Sequence, residues 1–151
     1  MKVRKCEERF FIMTNDIVRL MPAFGYEIIR DQILNSILGK HEKDVLYWAG
    51  KEVARKYPLF SIDEVSSFFN QAGWGDIILE KETKESLTYV LTGDDDLLKF
   101  EQRCFRLEAG FLAQQVQKLN GYLTECYEEV HAKKESVTFT VKWDSKEPVN
   151  K

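Results

Sequence analysis

The hydrophobic pattern of this chain changes its period near residue 74, and this change limits the folds that the chain can adopt. Before that point, apolar residues recur every three or four positions, as they do in amphipathic helices. After it, two segments alternate between apolar and polar residues, as strands with one buried face do. A further stretch of helical period separates these alternating segments. The chain is therefore predicted to have an α+β fold.

Three helices are predicted before the change of period. The first ends at Gly39, where a left-handed cap residue belongs. The second spans residues 43–56 and stops ahead of Pro58, because proline disfavours helical backbone in the residue before it. The third opens with a Ser-Ile-Asp-Glu capping box at 61–64 and closes at Gly73. Their apolar stripes are Ile28, Ile29, Ile33, Leu34, Ile37 and Leu38; Val45, Leu46, Ala49 and Val53; and Ile62, Val65, Phe69 and Ala72.

Two β-hairpins and one more helix follow. The first hairpin joins strands near 74–80 and 86–92, and the second joins strands near 122–130 and 137–143. Between them, residues 105–119 have a helical stripe that ends at Asn120-Gly121. The predicted fold therefore has three N-terminal helices, a hairpin, a helix and a hairpin, with helices packed on a four-stranded antiparallel sheet. The apolar positions are Leu87, Tyr89 and Leu91; Cys104, Leu107, Phe111, Leu112, Val116 and Leu119; and Val137, Phe139, Val141 and Trp143.

One domain is expected to span residues 23–144, because no repeat or flexible linker interrupts that region. Residues 1–22 form a leader whose apolar cluster, Phe10 to Met13, is expected to dock against other residues. Residues 145–151 form a polar tail that is expected to be loose.

The charge balance argues against one class of partner. Lys plus Arg number 22 and Asp plus Glu number 25, so the net charge is −3, whereas a nucleic-acid backbone binder needs clustered cations. No apolar stretch approaches the ~20 residues of a membrane span, and the run at residues 10–13 is too short for a secretory signal. We expect a cytoplasmic protein without a nucleic-acid or membrane partner. Its cysteines, Cys6, Cys104 and Cys126, lack C-x-x-C spacing and indicate reduced thiols.

Sequence motifs for nucleotide binding and hydrolysis are absent. The chain contains neither G-x-x-x-x-G-K-[ST] nor G-x-G-x-x-G, and it lacks G-x-S-x-G. The acidic run at residues 94–96 lacks the spacing of an EF-hand and favours a turn with an aspartate cap. His41 is remote in sequence from His131, and Cys126 and His131 would point to opposite faces of a strand. The sequence therefore predicts no metal site and no catalytic residue, and it leaves any cofactor unknown.

Four segments, in this order along residues 25–144, resemble a known family. They are Tyr47-Trp-Ala-Gly-Lys51, Ala72-Gly-Trp-Gly75, Leu107-Glu-Ala-Gly-Phe-Leu-Ala-Gln-Gln115 and Phe139-Thr-Val-Lys-Trp-Asp144. Together they resemble the YslB-like family of uncharacterised Firmicute cytoplasmic proteins. The segment that begins at Glu108 is also similar to the vinyl-reductase-type domain, which is related to Bet3-like trafficking subunits. The resemblance implies their α+β fold, which occurs in ligand-binding and dimerising proteins and in some members encloses an apolar cavity. It does not imply a reaction.

The candidate pocket residues are Glu108, Phe111, Cys104, Trp48 and Trp74. Glu108 lies at the edge of an apolar helical stripe, where a buried carboxylate must be paired, hydrogen-bonded or neutral. It either supports the first helical turn or belongs to a pocket. The aromatic residues likewise either build the core or line a pocket.

Two further features have alternative explanations. Gly110, inside a helix, indicates either close approach of another element or room for a ligand or a dimer partner. Phe68 and Phe69 are adjacent and are expected to face different sides of a helix, which leaves one of them available for a partner.

Three functions are compatible with these observations. The first is a homodimeric module that holds a small apolar ligand between helices and sheet, with Glu108 nearby. The second is an adaptor with a packed core and a protein-binding surface that involves Phe10, Phe11, Phe68 or Trp48. The third is an enzyme or cofactor-binding protein with a minimal site, although no pair of titratable groups is placed by spacing alone.

Overall fold

The computed structural model describes residues 21–149. Its N-terminal helical segment consists of α1 (Ala23–Glu27), a π-helical stretch (Ile28–Ile33) and α2 (Leu34–Leu38). A 3-10 turn, Gly39–His41, leads into α3 (Glu42–Lys56). The sequence predicted helix here but not the π-helical stretch. Most of the leader, including the Phe10 to Met13 cluster, lies outside the described residues.

The orientation of the N-terminal helical segment differs from the prediction. Its apolar stripe was expected to face the core, yet Ile29, Ile33 and Ile37 are 53%, 42% and 73% exposed. The buried side chains of this segment are instead those of Arg30 and Asp31, which are 2% and 4% exposed. The prediction was wrong for these three isoleucines, whereas Ile28, Leu34 and Leu38 are half-buried. Arg30 has charged and polar partners in the body of the protein, and they determine which side of the segment faces inward.

Helix α4 (Glu64–Gln71) begins at the predicted capping box. The Glu64 carboxylate accepts hydrogen bonds from the backbone N–H groups of Phe60 (2.6 Å) and Ser61 (3.3 Å). The Ser61 hydroxyl accepts from Asp63 N instead of completing the box. The helix ends at Gln71, and Gly73 follows with a φ of 72°, the left-handed conformation that glycine tolerates.

The four strands form one antiparallel sheet in the order β1-β2-β4-β3. They are β1 (Asp76–Glu82), β2 (Ser86–Thr92), β3 (Tyr122–His131) and β4 (Ser136–Pro148). The alternating residues of β2 lie opposite those of β4, for example Tyr89 opposite Phe139, and both are buried. Strand β4 continues through most of the predicted loose tail, because its end pairs with the start of β3 at Tyr122.

Helix α6 (Arg106–Asn120) lies between α3 and the sheet. Because it contacts other elements on both sides, most of its residues are buried, including Glu108 and Gln115. A short helix, α5 (Asp95–Leu98), precedes α6 and was not predicted; Asp94 accepts a hydrogen bond from Asp96 N at its start (3.0 Å). The α+β prediction, with four antiparallel strands and packed helices, is confirmed.

Helices α3 and α6 cross in direct backbone contact at two glycines. A methyl group added at Gly50 would overlap Leu107 O and lie 2.8 Å from Phe111 N. One added at Gly110 would overlap Tyr47 O. Of the two explanations for Gly110, close helix approach is therefore what the structure shows.

Four aromatic residues fill the space between α4, α6 and the sheet. Phe68 stacks on Phe111 with ring centroids 4.3 Å apart, and Trp74 contacts Phe68, Phe69 and Phe111 edge-on. Both Phe68 and Phe69 are buried. The expectation that one of them is available to a partner was wrong, because Tyr57 and Phe111 cover Phe68 while Trp74 covers Phe69.

Side chains from α3 and α6 occupy the open side of edge strand β3. The Tyr47 hydroxyl accepts a hydrogen bond from Cys126 N (3.1 Å) and donates one to the Glu125 carboxylate. The Gln117 side-chain oxygen accepts from Thr124 N (3.2 Å). Backbone donors that an edge strand would otherwise leave free are thereby satisfied.

Candidate functional site

A buried ion pair joins the N-terminal helical segment to the first turn of α6. Arg30 comes from the π-helical stretch and Glu108 from α6, and both side chains are almost completely buried. One terminal nitrogen of Arg30, Nη2, donates to Glu108 Oε1 and to the backbone oxygen of Cys104 (3.0 Å). The other, Nη1, donates to the Tyr26 hydroxyl (2.8 Å). Within residues 21–149 no side-chain hydrogen bond caps α6, and the Glu108 carboxylate bonds Arg30.

A second ion pair lies beside the first. Arg103 donates from Nε and Nη2 to the two carboxylate oxygens of Asp31, at 2.8 and 3.0 Å. Its Nη2 also donates to Leu97 O (3.2 Å). The guanidinium carbon of Arg103 lies 5.3 Å from the centre of the Tyr26 ring, so Tyr26 contacts both arginines. We refer to Tyr26, Arg30, Asp31, Arg103 and Glu108 together as the charge cluster.

The electrostatics of the charge cluster keep Arg30 charged and Tyr26 neutral. Burial by itself lowers the pKa of Arg30, but the Glu108 carboxylate and the Tyr26 hydroxyl more than offset that effect, and the net pKa shift is upward. Burial also raises the pKa of Tyr26, although the positive charge of Arg30 opposes this. Arg30 therefore binds its acceptors as a cation, through charge-assisted hydrogen bonds.

Three polar atoms of the charge cluster are buried without a hydrogen-bond partner among residues 21–149. They are the donors Arg30 Nε and Arg103 Nη1 and the acceptor Glu108 Oε2. Buried polar groups are almost always hydrogen-bonded, and each unsatisfied group costs about 1–3 kcal/mol. Gln115, elsewhere in α6, shows the usual case: its amide bonds Leu59 N, Ala54 O and Tyr57 O. The charge cluster thus has hydrogen-bonding capacity that residues 21–149 do not use.

The five residues predicted for a pocket fall in three places. Glu108 belongs to the charge cluster, and Cys104 is next to it through its backbone oxygen. Phe111 and Trp74 belong to the aromatic cluster, with ring centroids 5.3 Å apart. Trp48 is 60% exposed on α3. The structure therefore brings Glu108 and Cys104 together and separates Trp48 from the buried groups.

Four members of the charge cluster were not predicted: Tyr26, Arg30, Asp31 and Arg103. A signal was present for one of them, because Arg30 interrupts the apolar stripe of the first helix and stands four residues after Tyr26. No such signal marks Arg103, whose partner Asp31 is distant in sequence.

Metal and thiol chemistry find little support in the described part of the chain. No group of three His, Cys, Asp or Glu side chains there could hold a metal ion. The His131 ring bonds the Thr138 hydroxyl (3.2 Å). Burial raises the pKa of both the Cys104 and the Cys126 thiols, which therefore stay protonated near neutral pH.

The fold resembles those of two solved structures. A vinyl-4-reductase family protein from Methanocaldococcus jannaschii matches with a TM-score of 0.58 and 17% identity, over 95% of this chain and 92% of that chain. A mutant of the Fe(II) unliganded H-NOX protein from K. algicida matches with a TM-score of 0.55 and 14% identity, over 95% of this chain and 86% of that chain. At these identities the likeness concerns the fold alone. The predicted vinyl-reductase-type fold is confirmed.

Sequence comparison identifies the family of this chain. Residues 23–142 match the family described as Protein of unknown function (DUF2507). The chain is 43% identical over 132 residues to the uncharacterized protein YslB of Bacillus subtilis (strain 168). The aligned region covers 85% of this chain and 89% of YslB. The chain belongs to the DUF2507 family, and the predicted YslB-like relationship is confirmed. None of the described helices has the length and apolar character of a membrane span.

Proposed function

We propose that the protein is a small-molecule-binding module whose ligand meets the charge cluster between the N-terminal helical segment and α6. The observation that supports this most directly is the set of buried polar atoms at Arg30, Arg103 and Glu108 that have no hydrogen-bond partner within residues 21–149. Perturbed and incompletely satisfied buried groups concentrate at binding sites. The likeness of the fold to a vinyl-4-reductase family protein and an H-NOX protein is compatible with such a role.

The polar atoms define part of the ligand's chemistry. Two arginine N–H donors require an acceptor, and Glu108 Oε2 requires a donor. A carboxylic acid or a carboxamide provides both. We therefore propose that the apolar ligand predicted from the sequence has a polar group at one end.

We further propose that the protein works in the cytoplasm as a homodimer. The net charge of −3 and the reduced thiols are consistent with this location. Light scattering coupled to gel filtration tests the oligomeric state, and a single species with the mass of one chain contradicts the dimer.

An adaptor role is the second candidate, and exposed aromatic side chains favour it. Trp48 is 60% exposed and Phe60 is 85% exposed, and large exposed aromatic residues are enriched at protein–protein interfaces. Phe68, which the same hypothesis included, is buried. A pull-down in which Trp48→Ala and Phe60→Ala abolish capture of a specific partner supports the adaptor.

Native mass spectrometry of gently purified protein, followed by denaturing mass analysis of the same sample, tests ligand binding. We expect a mass excess that disappears on denaturation and so gives the mass of the bound molecule. The double variant Arg30→Met/Glu108→Leu is expected to fold without this excess, because apolar replacements of similar size remove both charges together.

The matched control is Trp48→Ala, which lies outside the charge cluster and is expected to retain the excess. Two results together contradict the proposal: wild-type protein without a mass excess, and a crystal structure in which only water contacts Glu108 Oε2. Water at that position would satisfy the unbonded atoms without any ligand.

A further inference from the structure

The N-terminal helical segment presents apolar side chains to solvent along one side. Ile29, Ile33 and Ile37 recur every fourth residue, so they follow one another along the segment, and all three are exposed. We call these three residues the isoleucine face. Its length from Ile29 to Ile37 is about 12 Å at the helical rise. A row of exposed isoleucines on one helix usually indicates a surface that another element covers.

We propose that residues 10–20 of the same chain dock on the isoleucine face. This part of the leader is rich in large apolar residues, which need a place to be buried. Four of them, Phe10, Met13, Ile17 and Leu20, recur at spacings of three and four, so a single apolar surface could contact the isoleucines. Phe11, Ile12 and Val18 add to the apolar content of the same stretch.

The connection between leader and face makes docking within one chain feasible. Residue 20 is followed directly by Met21 and Pro22. Pro22 immediately precedes α1, and its backbone is extended, with ψ of 130°. Helical geometry is thus interrupted at the point where the leader must turn back. Residues 10–20 reach about 15 Å if helical and about 33 Å if extended, and either length spans the isoleucine face.

A second copy of the chain could also cover this face, but tethering favours the leader. A segment attached through a short connection has an effective concentration in the millimolar range. A second copy at micromolar concentration competes with it poorly unless its interface is far more extensive. The isoleucine face is therefore assigned to the leader of its own chain.

Hydrogen exchange measured by mass spectrometry on the full chain tests this assignment. Backbone amides of residues 10–20 are expected to exchange at least about tenfold more slowly in the wild type than in Ile33→Glu, because a carboxylate on the face opposes apolar docking. Ile37→Glu is the second variant and is expected to act in the same way. Since Ile37 is 73% exposed, this change should leave the fold intact, and unchanged exchange in α6 verifies that.

The matched control is Ile78→Glu, which places the same charge at a 63% exposed isoleucine on β1. It is expected to leave exchange in residues 10–20 as in the wild type. The proposal is overturned if the leader is unprotected in the wild type, or if its protection survives both Ile33→Glu and Ile37→Glu. A concentration series from about 1 to about 100 µM protein gives a further test. The proposal is also overturned if the amides of residues 10–20 become protected only at concentrations where a dimer forms, because docking would then need a second copy.

Discussion

At the scale of single residues, the Arg30–Glu108 pair is a buried salt bridge, which by itself is weak evidence for a contribution to stability. Breaking a buried ion pair by removing one partner costs about 3–5 kcal/mol, whereas replacing both partners with apolar residues of similar volume is often neutral or stabilising. An apolar contact at this junction could therefore have held the N-terminal helical segment equally well. We infer that the charges serve to position that segment and to bind a polar group.

Tyr89 gives a prediction about alkaline pH. Burial, together with the negative charges of Glu82 and Asp63, raises the pKa of Tyr89 to about 12, against an ordinary value of 10. The folded protein therefore holds this proton more tightly than the unfolded chain does. Its contribution to stability is complete below pH 10 and is lost as the pH rises towards 12.

As the pH rises from 8 to 11, the free energy of unfolding is expected to fall by about 1 kcal/mol more in the wild type than in Tyr89→Phe. At pH 8 the variant should be as stable as the wild type or slightly more so, because the Tyr89 hydroxyl is buried without a hydrogen-bond partner in the described structure. Urea unfolding at both pH values measures this. Tyr127→Phe, at an exposed tyrosine, is the control and should follow the wild type. An equal loss in Tyr89→Phe and wild type contradicts the prediction.

At the scale of helices and strands, the crossing of α3 and α6 depends on Gly50 and Gly110. Alanine at either position places a methyl group against backbone atoms of the facing helix, which cannot rotate away as a side chain can. Gly50→Ala and Gly110→Ala are each expected to lower the free energy of unfolding by about 3 kcal/mol or more. Chemical denaturation monitored by circular dichroism provides the measurement.

Gly25→Ala is the matched control for the helix crossing. It lies inside α1, and no atom of the described residues is close enough to contact an added methyl group. This variant is expected to gain about 0.5–1 kcal/mol, because alanine restricts the unfolded chain and favours helix. If Gly50→Ala is as stable as Gly25→Ala, then the two helices are not in backbone contact.

Strands and helices were predictable where local patterns decide them. The alternation from Leu87 to Leu91 predicted β2, and the turn at Gly121 predicted the end of α6. The π-helical stretch and the extension of β4 to Pro148 were not predictable, because distant partners decide both. The burial of Arg30 in place of the neighbouring isoleucines has the same origin.

At the scale of the whole molecule, stability is expected to be uneven. Arg30 is the buried residue of the N-terminal helical segment, whereas α6 is buried along most of its length. Local opening free energies vary with such differences in burial. Amides of the π-helical stretch and α2 are expected to exchange through a local opening. Its free energy should be at least about 2 kcal/mol lower than that of global unfolding.

Native-state hydrogen exchange at increasing denaturant concentration measures this difference. The opening of the N-terminal helical segment should depend weakly on denaturant, because it exposes little surface. Amides of β4 near Phe139, which is completely buried, provide the internal reference for global unfolding. Equal free energies and equal denaturant dependence in both regions would show that the segment is part of one cooperative unit.

The family resemblance and the order of elements were sufficient to predict the α+β architecture. The candidate site was predictable only at Glu108 and its neighbour Cys104. Its other members meet through long-range contacts, such as that between Asp31 and Arg103, which have no periodic signature. A carboxylate beside an apolar stripe indicated that a partner was needed but did not identify Arg30 as that partner.

The side chains along β3 also have a consequence for aggregation. An uncovered edge strand can act as a template on which further chains add as strands, which is how ordered aggregates grow. On β3, Tyr47 and Gln117 already occupy backbone donors that an incoming strand would need. These two side chains block strand addition, so conditions that loosen α3 and α6 from β3 should promote fibril formation before the protein is fully unfolded.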